Sequence, residues 1–433
     1  MARSGIDLIY QQLASDDEGR VCKDIPEGAC HDQPRNFLVH VVSLAASKSA
    51  DGLIDPKLVL SWLLTSLGAG TVFVGLLVPV REAGALMPQL FTAGAIRAMP
   101  RRKWAWAGGA AVQGVCALGM AVSAIVLDGG AAGFAIVGLL GILALARSVC
   151  SVAYKDVLGK TVDKARRGSA TGSAGSLAAA LVICFALMLA SGWVGKTVLI
   201  PLALCVAGGL WLFAAFSFTT LAEDSGATEG GANAIVAARE NLGLLARDGQ
   251  LRRFITARGL LVSTALAPPF MVALGGAGSG RAYEALGWLV LASATAGLVS
   301  SYVWGRLADH SSRLVLVFSA LSSAMALAAT WVGDRAGGLD AAGVLPALLF
   351  LLMIAYHGVR LGRSTHLVDM ATKETRAAYT ALSNTIIGVL LLAGGVFSWV
   401  GAAFGPAVVI ALLAAMSALA IPVALGLDEV QSS

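Results

Sequence analysis

The sequence predicts an all-α membrane protein, with twelve transmembrane helices arranged as two six-helix bundles. Three observations predict it. Of the 433 residues, 57% are hydrophobic and only 13% are charged, against roughly 25% charged in soluble domains. The apolar residues fall into runs long enough to cross a bilayer, which takes about 20 residues of helix. Lysines and arginines gather in alternate loops, as the positive-inside bias of a multi-pass chain requires. The 51 glycines are scattered without a collagen period and suit closely packed membrane helices.

Taken in order, residues 1–57 read as a polar cytoplasmic region, in which "NFLVHVVSLAASK" (36–48) is an amphipathic segment resting on the membrane surface. No cleavable signal peptide is expected there. Spans then read 58–80, 83–98, 104–127, 132–153, 172–193, 197–218, 257–276, 285–304, 312–332, 343–361, 378–400 and 405–427. The second is the shortest, interrupted at its start by Arg81, Glu82 and Pro88. Pro268 and Pro269 are expected to kink or break the seventh. The polar stretch 219–256 separates a first bundle, 58–218, from a second, 257–427, and 428–433 is a tail. It opens on the linker-like "EDSGATEGGANA" and closes on "AIVAARENLGLLARDGQLRRF", an amphipathic surface helix by its apolar spacing.

Charge tests this count. With the N-terminus inside, the inner segments hold 27 of the 31 lysines and arginines, and the outer side keeps only Arg81, Lys196, Arg281 and Arg335. Both termini are therefore expected in the cytoplasm. Trp193, Trp288, Trp331 and Trp399 fall at outer helix ends and Trp104, Trp106 and Trp304 at inner ones, as interfacial belts do. The six cysteines do not form a disulfide framework, and Cys22, Cys30 and His31 fit no standard zinc spacing.

The two halves echo each other. After the fourth span of each, "KARRGSAT" and "KETRAAYT" align Lys164 with Lys373, Arg167 with Arg376 and Thr171 with Thr380. A duplicated six-helix unit predicts such a repeat.

Between spans eight and nine, on the inner face, stands "GRLADHSSR" (305–313). This resembles the loop of the major facilitator superfamily that reads Gly-x-x-x-Asp-Arg-x-Gly-Arg between the second and third helix of a half. Gly305, Asp309 and Arg313 stand at those spacings, with His310 for the usual arginine and Ser312 for the second glycine. The resemblance covers residues 58–427. It implies the major facilitator fold and a conformational latch, in which glycine permits close approach while the aspartate and arginine bond neighbouring helix ends. The first-half loop, "GAIRAMPRRK", keeps Gly94 and the basic run containing Arg102, but has Ala98 where the aspartate belongs, which puts the first latch in doubt. Other stretches, such as "PVREAGALMPQL", resemble an unassigned subgroup of bacterial facilitator permeases.

The resemblance also implies that the first and fourth helices of each half face a central cavity. That makes Arg147 in span four, with Tyr356, His357 and Arg360 at the end of span ten, candidate pathway residues, together with Gln89 and Asn384. Arg147 lies about 9 Å from its inner helix end at 1.5 Å per residue, so it either snorkels to the interface or faces the cavity. Residues such as Gln89 and Asn384 are more often helix–helix glue than substrate contacts. Arg81 and Glu82, placed in the outer turn, are a candidate outer gate. No aspartate or glutamate is expected inside a span.

"YKDVLGKT" lacks the glycine, strand and free helix of a phosphate loop. With no nucleophile–base pair, metal cluster or nucleotide loop, an enzyme is excluded and neither catalytic residues nor cofactors are expected. The expected function is secondary active or facilitative transport of a small solute by alternating access, leaning to anionic or polar solutes. The alternative is a non-transporting receptor or assembly factor of the same fold. Expected partners are the solute, the lipid bilayer and, as an open addition, a coupling ion; no metal or nucleic acid is expected, and a monomer is the expected state.

Overall fold

The computed structural model describes residues 27–430, apart from 90–91, 93–94, 97, 194, 227–242, 244, 246, 278–281, 342 and 373–374. Among the described residues every regular element is helical, and ten helical segments are long and apolar enough to cross a membrane. The helices of the first half are α1 (Glu27–Leu53), α2 (Val59–Ser66), α3 (Thr71–Leu86), α4 (Lys103–Val126), α5 (Gly129–Thr161), α6 (Lys164–Ser191) and α7 (Lys196–Thr219); the ten segments begin at α4. The second half has α8 (Gly249–Leu260), α9 (Ser263–Ala277), α10 (Ala282–His310), α11 (Ser312–Arg335), α12 (Val344–Met370), α13 (Arg376–Ala393), α14 (Val396–Phe404) and α15 (Pro406–Leu425). Three traverses are interrupted: α1 continues into α2, α8 into α9, and α13 into α14.

The first bundle begins earlier than expected. Run 58–80 straddles a reversal, because Gly68 (φ +71°) turns the chain in the left-handed region that glycine adopts without Cβ strain, and α3 starts only at Thr71. The first traverse is therefore α1 with α2, and the second opens with α3. Segment 36–48, expected on the membrane surface, instead packs within the bundle against α6 and α7. Several of its polar residues find partners inside the protein. Asn36 donates to the Ala222 carbonyl and accepts from its N–H, both at 3.0 Å, and His40 Nε2 lies 2.8 Å from Thr161 Oγ1. Satisfied polar groups of this kind give a buried helix an amphipathic sequence. The second bundle likewise starts at α8, inside the stretch expected to be linker; 227–242 lies outside the described residues.

From residue 103 onward the expected spans coincide with helices, several running a turn or two further. The break in the seventh traverse falls at 261–262 rather than at the prolines. Pro268 and Pro269 have no N–H for the carbonyls four residues back, those of Thr264 and Ala265. The helix is loosened one turn upstream, where Thr264 N and Ala265 N bond three residues back instead. Trp104, Trp193, Trp288, Trp331 and Trp399 are exposed, but Trp106 and Trp304 are buried. Trp304 donates to the Ile354 carbonyl at 2.8 Å and belongs to the core, not to a belt. Cys30 is disulfide-bonded, contrary to expectation, whereas Cys116, Cys150, Cys184 and Cys205 are free.

The halves meet through α6 against α10, and through α2 and α3 against α9, α13 and α14. Contact is closest at the end bearing the 67–70 turn. There a Cβ on Gly287 would overlap the Ala190 backbone, and one on Gly75 would stand 2.9 Å from Ser398 Cα. The opposite end carries Arg101, Arg102 and Lys103 and is called the basic end below.

Candidate solute site between the two halves

The α1–α2 break places charge in the middle of the first bundle. Pro56 has no N–H to extend α1, and proline disfavours the helical conformation of the residue before it, Asp55. The chain restarts with Val59 N and Leu60 N bonding the Asp55 carbonyl at 2.9 and 3.1 Å. Asp51, Asp55 and Lys57 flank this break, with Lys48 one turn below it. Lys57 N donates to Asp55 Oδ1 at 2.7 Å.

Arg81 and Glu82 face this break from α3. Arg81 Nη2 lies 2.7 Å from Asp51 Oδ1, and Lys57 Nζ lies 3.7 Å from Glu82 Oε1. Ten residues into α3, this pair is not at the turn, and the structure removes the outer-gate placement. Arg147, near the midpoint of the 33-residue α5, closes the cluster. Its Nη2 lies 2.8 Å from Asp51 Oδ2, and its Nη1 donates to Ser47 Oγ at 3.2 Å. Arg147 therefore pairs inward and does not snorkel. The expectation that no carboxylate lies inside the helices is overturned by Asp51, Asp55 and Glu82.

The second half meets this cluster through α12. Tyr356 accepts a 3.2 Å hydrogen bond from Lys57 Nζ and places its ring 4.4 Å beneath that ammonium. His357 packs edge-on to Tyr356, and the Arg360 guanidinium lies 5.9 Å from the Tyr356 ring. Electrostatic interactions connect Arg360 with Glu82 and Asp51, and Glu82 with Arg363. Candidate residues Arg147, Tyr356, His357, Arg360, Arg81 and Glu82 are thus brought together. Gln89 is not among them, because its amide donates to the Ala85 carbonyl of its own helix. Asn384 accepts from Arg258 Nη2 at 2.9 Å, while Arg258 Nη1 donates to Ser383 at 2.5 Å; both bonds join α8 to α13.

These charges are reached by solvent. The side chains of Asp51, Arg147 and Glu82 are 23%, 28% and 33% exposed, and Arg360 is exposed, although all four lie deep along their helices. The halves thus enclose a wet, charged space, sealed at the glycine-contact end. Ionisable groups at such depth in membrane helices persist where they pair or line water.

Two helical halves joined about a charged space can be compared with known proteins. No family model matches the sequence, and no curated protein matches it. Solved structures do. A mutant of the nucleoside transporter NupG superposes with a TM-score of 0.70 at 14% identity, covering 91% of this chain and 100% of its own. A POT family transporter in complex with a thioalcohol-conjugated peptide gives 0.65 at 10% identity, over 93% and 97%. A D-xylose–proton symporter gives 0.65 at 12% identity, over 92% and 98%. The chain has the major facilitator fold. It is a multi-pass integral membrane protein.

In a major facilitator fold the loops at the basic end join helices within each half, and here the two halves do so alike. Glu223 and Glu429 each stand four residues beyond the last helix of their half. Glu223 is buried and accepts from Arg102 N at 3.1 Å and Lys103 N at 2.8 Å, capping the start of α4. Lys160 reaches both Glu223, at 3.2 Å, and Asp156, at 3.0 Å; Arg102 also pairs with Asp156. Asp156 thus places a carboxylate beside Arg102 and Lys160 at this end of the first half. In the second half Glu429 accepts from Ser311 at 2.5 Å, at the start of α11, and pairs with Arg313 at 3.4 Å. An acid at a helix start opposes the positive end of the helix dipole. Of the other latch residues, a Cβ on Gly305 would meet nothing within 4 Å; the side chain of Asp309 and all of Gly94 lie outside the described residues.

Sequence reasoning missed Lys48, Asp51, Asp55, Lys57 and Arg363. A usable signal was "SLGAGT" (66–71), a glycine-rich turn inside a run read as one helix. Moving the first turn there draws residues 36–57 into the bundle.

Proposed function

We propose that this protein moves a small anionic or polar solute across a membrane by alternating access, one half rocking against the other around the charged space. The observation that carries this reading is the cluster joining Lys57, Arg81 and Arg147 of the first half to Tyr356 and Arg360 of the second. Cations outnumber carboxylates in it, which suits a ligand that brings negative charge or acceptor oxygens. The structural neighbours act on nucleosides, peptides and D-xylose, and they support small-solute transport without naming the solute here. The Lys and Arg distribution supports cytoplasmic termini, and the resemblance to bacterial permeases supports a bacterial inner membrane. Asp309 remains the proposed latch of the second half, and the reading includes no catalysis. A coupling ion and a monomeric state belong to the same reading.

The alternative is a receptor or assembly factor of the same fold, and the pairing of Asp156 with Arg102 supports transport over it. Reconstitution tests the proposal. Proteoliposomes should show saturable uptake of labelled anionic or polar solutes, absent from protein-free vesicles and faster than for organic cations of equal size. Ligand binding without flux would favour a receptor, and a preference for cations would refute the anionic assignment.

A further inference from the structure

We propose that the solute carries two negative charges and that Arg360 and Arg363 are the groups that recognise the second charge. This rests on the transport reading above and specifies its substrate class. Around the α1–α2 break and α12, six cations (Lys48, Lys57, Arg81, Arg147, Arg360 and Arg363) share three carboxylates, an excess of three positive charges. The carboxylates are already engaged. Both oxygens of Asp51 are taken by arginines, Asp55 accepts from the Lys57 N–H, and Glu82 holds Lys57.

Among the described residues, neither Arg360 nor Arg363 has a carboxylate within 4 Å. They stand three residues apart on α12, which puts them on neighbouring positions of one helix face. Arg360 is exposed to the wet space and Arg363 partly so. Arg258 adds a further positive charge beside Arg363, and its described partners, Ser383 and Asn384, are neutral. A monoanion leaves this excess largely uncompensated, whereas a dianion matches the two arginines that lack a carboxylate. Guanidinium forks suit carboxylate and phosphate oxygens, which they bind in pairs.

Lys57 offers the contact from the first half. Its ammonium stands 3.7 Å from Glu82, beyond hydrogen-bonding distance, and already bonds Tyr356 of the second half. Lys57 is only 8% exposed, so its charge acts on a dianion held by Arg360 and Arg363 through the Tyr356 contact, which couples one ligand to both halves.

The test compares matched probes on the purified wild-type protein in detergent and in proteoliposomes. Succinate and glycerol 3-phosphate serve as dianions, their monomethyl esters as monoanions, and glycerol as the neutral control. Expected are binding and uptake of at least one dianion about ten-fold or more tighter than its ester, since one charge-assisted contact is lost. Arg363→Gln and Arg360→Gln should each reduce that preference to within about three-fold while ester binding persists. Arg335→Gln, distant on α11, should leave it unchanged. Equal affinity for ester and dianion overturns the two-charge proposal and leaves the transport reading intact. Uptake of neutral solutes with no anion bound overturns both the proposal and the anionic assignment. Retained dianion preference in both arginine variants overturns the assignment of the second charge to α12. If either variant fails to fold, the wild-type comparison still decides the charge question.

Discussion

Replacing Asp51 by asparagine separates a built charge cluster from a coincidence of long side chains. Asp51 receives Arg81 on one oxygen at 2.7 Å and Arg147 on the other at 2.8 Å. At an effective dielectric of about 20, each unit-charge pair about 4 Å apart contributes on the order of 4 kcal/mol of attraction. Desolvation offsets much of that, and the three side chains are 23%, 13% and 28% exposed, so solvent screening reduces it further. Removing one partner of a fully buried pair costs about 3–5 kcal/mol. For this half-wet triad, with two pairs lost and one acceptor oxygen kept, we expect a cost of about 3 kcal/mol for Asp51→Asn.

Thermal unfolding in detergent, followed by tryptophan fluorescence, reads the cost. At roughly 2 °C per kcal/mol for a larger chain, the midpoint should fall by about 6 °C. Arg147→Gln leaves Asp51 paired to Arg81 and should cost about half as much. The double variant decides the matter. Removing a carboxylate and one of its two cations together should melt well above the sum of the single losses, with a coupling of about 1–2 kcal/mol. Additive losses within about 0.5 kcal/mol, or an Asp51→Asn midpoint within about 1 °C of wild type, would refute the triad as a coupled unit.

Three further outcomes are expected. Tyr356→Phe keeps the ring under Lys57 but removes the hydroxyl it donates to, so the apparent KM of the transported solute should rise about 3–10-fold with maximal rate little changed; an unaltered KM would place Lys57 and Tyr356 off the solute path. Asp309→Asn keeps size and loses charge, and should lower flux while the unfolding midpoint stays within about 2 °C; unchanged flux would reduce the 305–313 motif to a structural remnant. Asp248 caps α8 by accepting from Gln250 N and Leu251 N at 2.9 and 3.0 Å, and from the Tyr379 hydroxyl at 2.6 Å. Burial pushes its carboxyl up, but these bonds outweigh burial and hold it below the ordinary carboxylate value. A depressed pKa stabilises the fold above the unfolded value of about 4, and the benefit disappears as pH falls through the folded value. Asp248→Ala should therefore cost about 1 kcal/mol at pH 7, and the gap between variant and wild type should close below about pH 4. A gap independent of pH would contradict this.

Most of the fold was legible in composition and charge, because a bilayer imposes length and sidedness directly on sequence. From residue 103 on, helices with a charge-free apolar stretch announced themselves. The 305–313 spacing pointed to the correct fold from one loop. The candidate site was only half legible. Arg147, Tyr356, His357 and Arg360 were found because each is a polar residue in or beside an apolar run. Lys48, Asp51, Asp55 and Lys57 were hidden because four charges in ten residues lower hydropathy below that of a span. A window that averages hydropathy discards the very segment where this chain concentrates its buried charge. Arg81 and Glu82 were then misplaced by the same shift, since a turn assigned a dozen residues late turns a mid-helix ion pair into a surface one.

The same physics explains why those charges stay. An isolated lysine or aspartate at mid-bilayer costs about 2.5–3.5 kcal/mol on insertion scales, and the first traverse carries four such residues. Pairing recovers part of that cost, as Asp51 with two arginines illustrates, but pairing alone favours equal numbers of each sign. The excess of cations does not serve packing, since apolar residues of similar volume often fill such a core at least as stably. A surplus of one sign, reached by water and shared across the seam between two halves, instead suits a site that is neutralised only when an anion enters. The packing supports the same division of labour. At the distal end Gly75 and Gly287 press backbone against backbone and seal the seam, whereas the charges keep the space below it open to solvent. An anion entering from the basic end would meet Arg363 before Arg360, and Asp51 only after them. It would neutralise the repulsion between α12 and the first half, and so lower the cost of bringing the two bundles together around it.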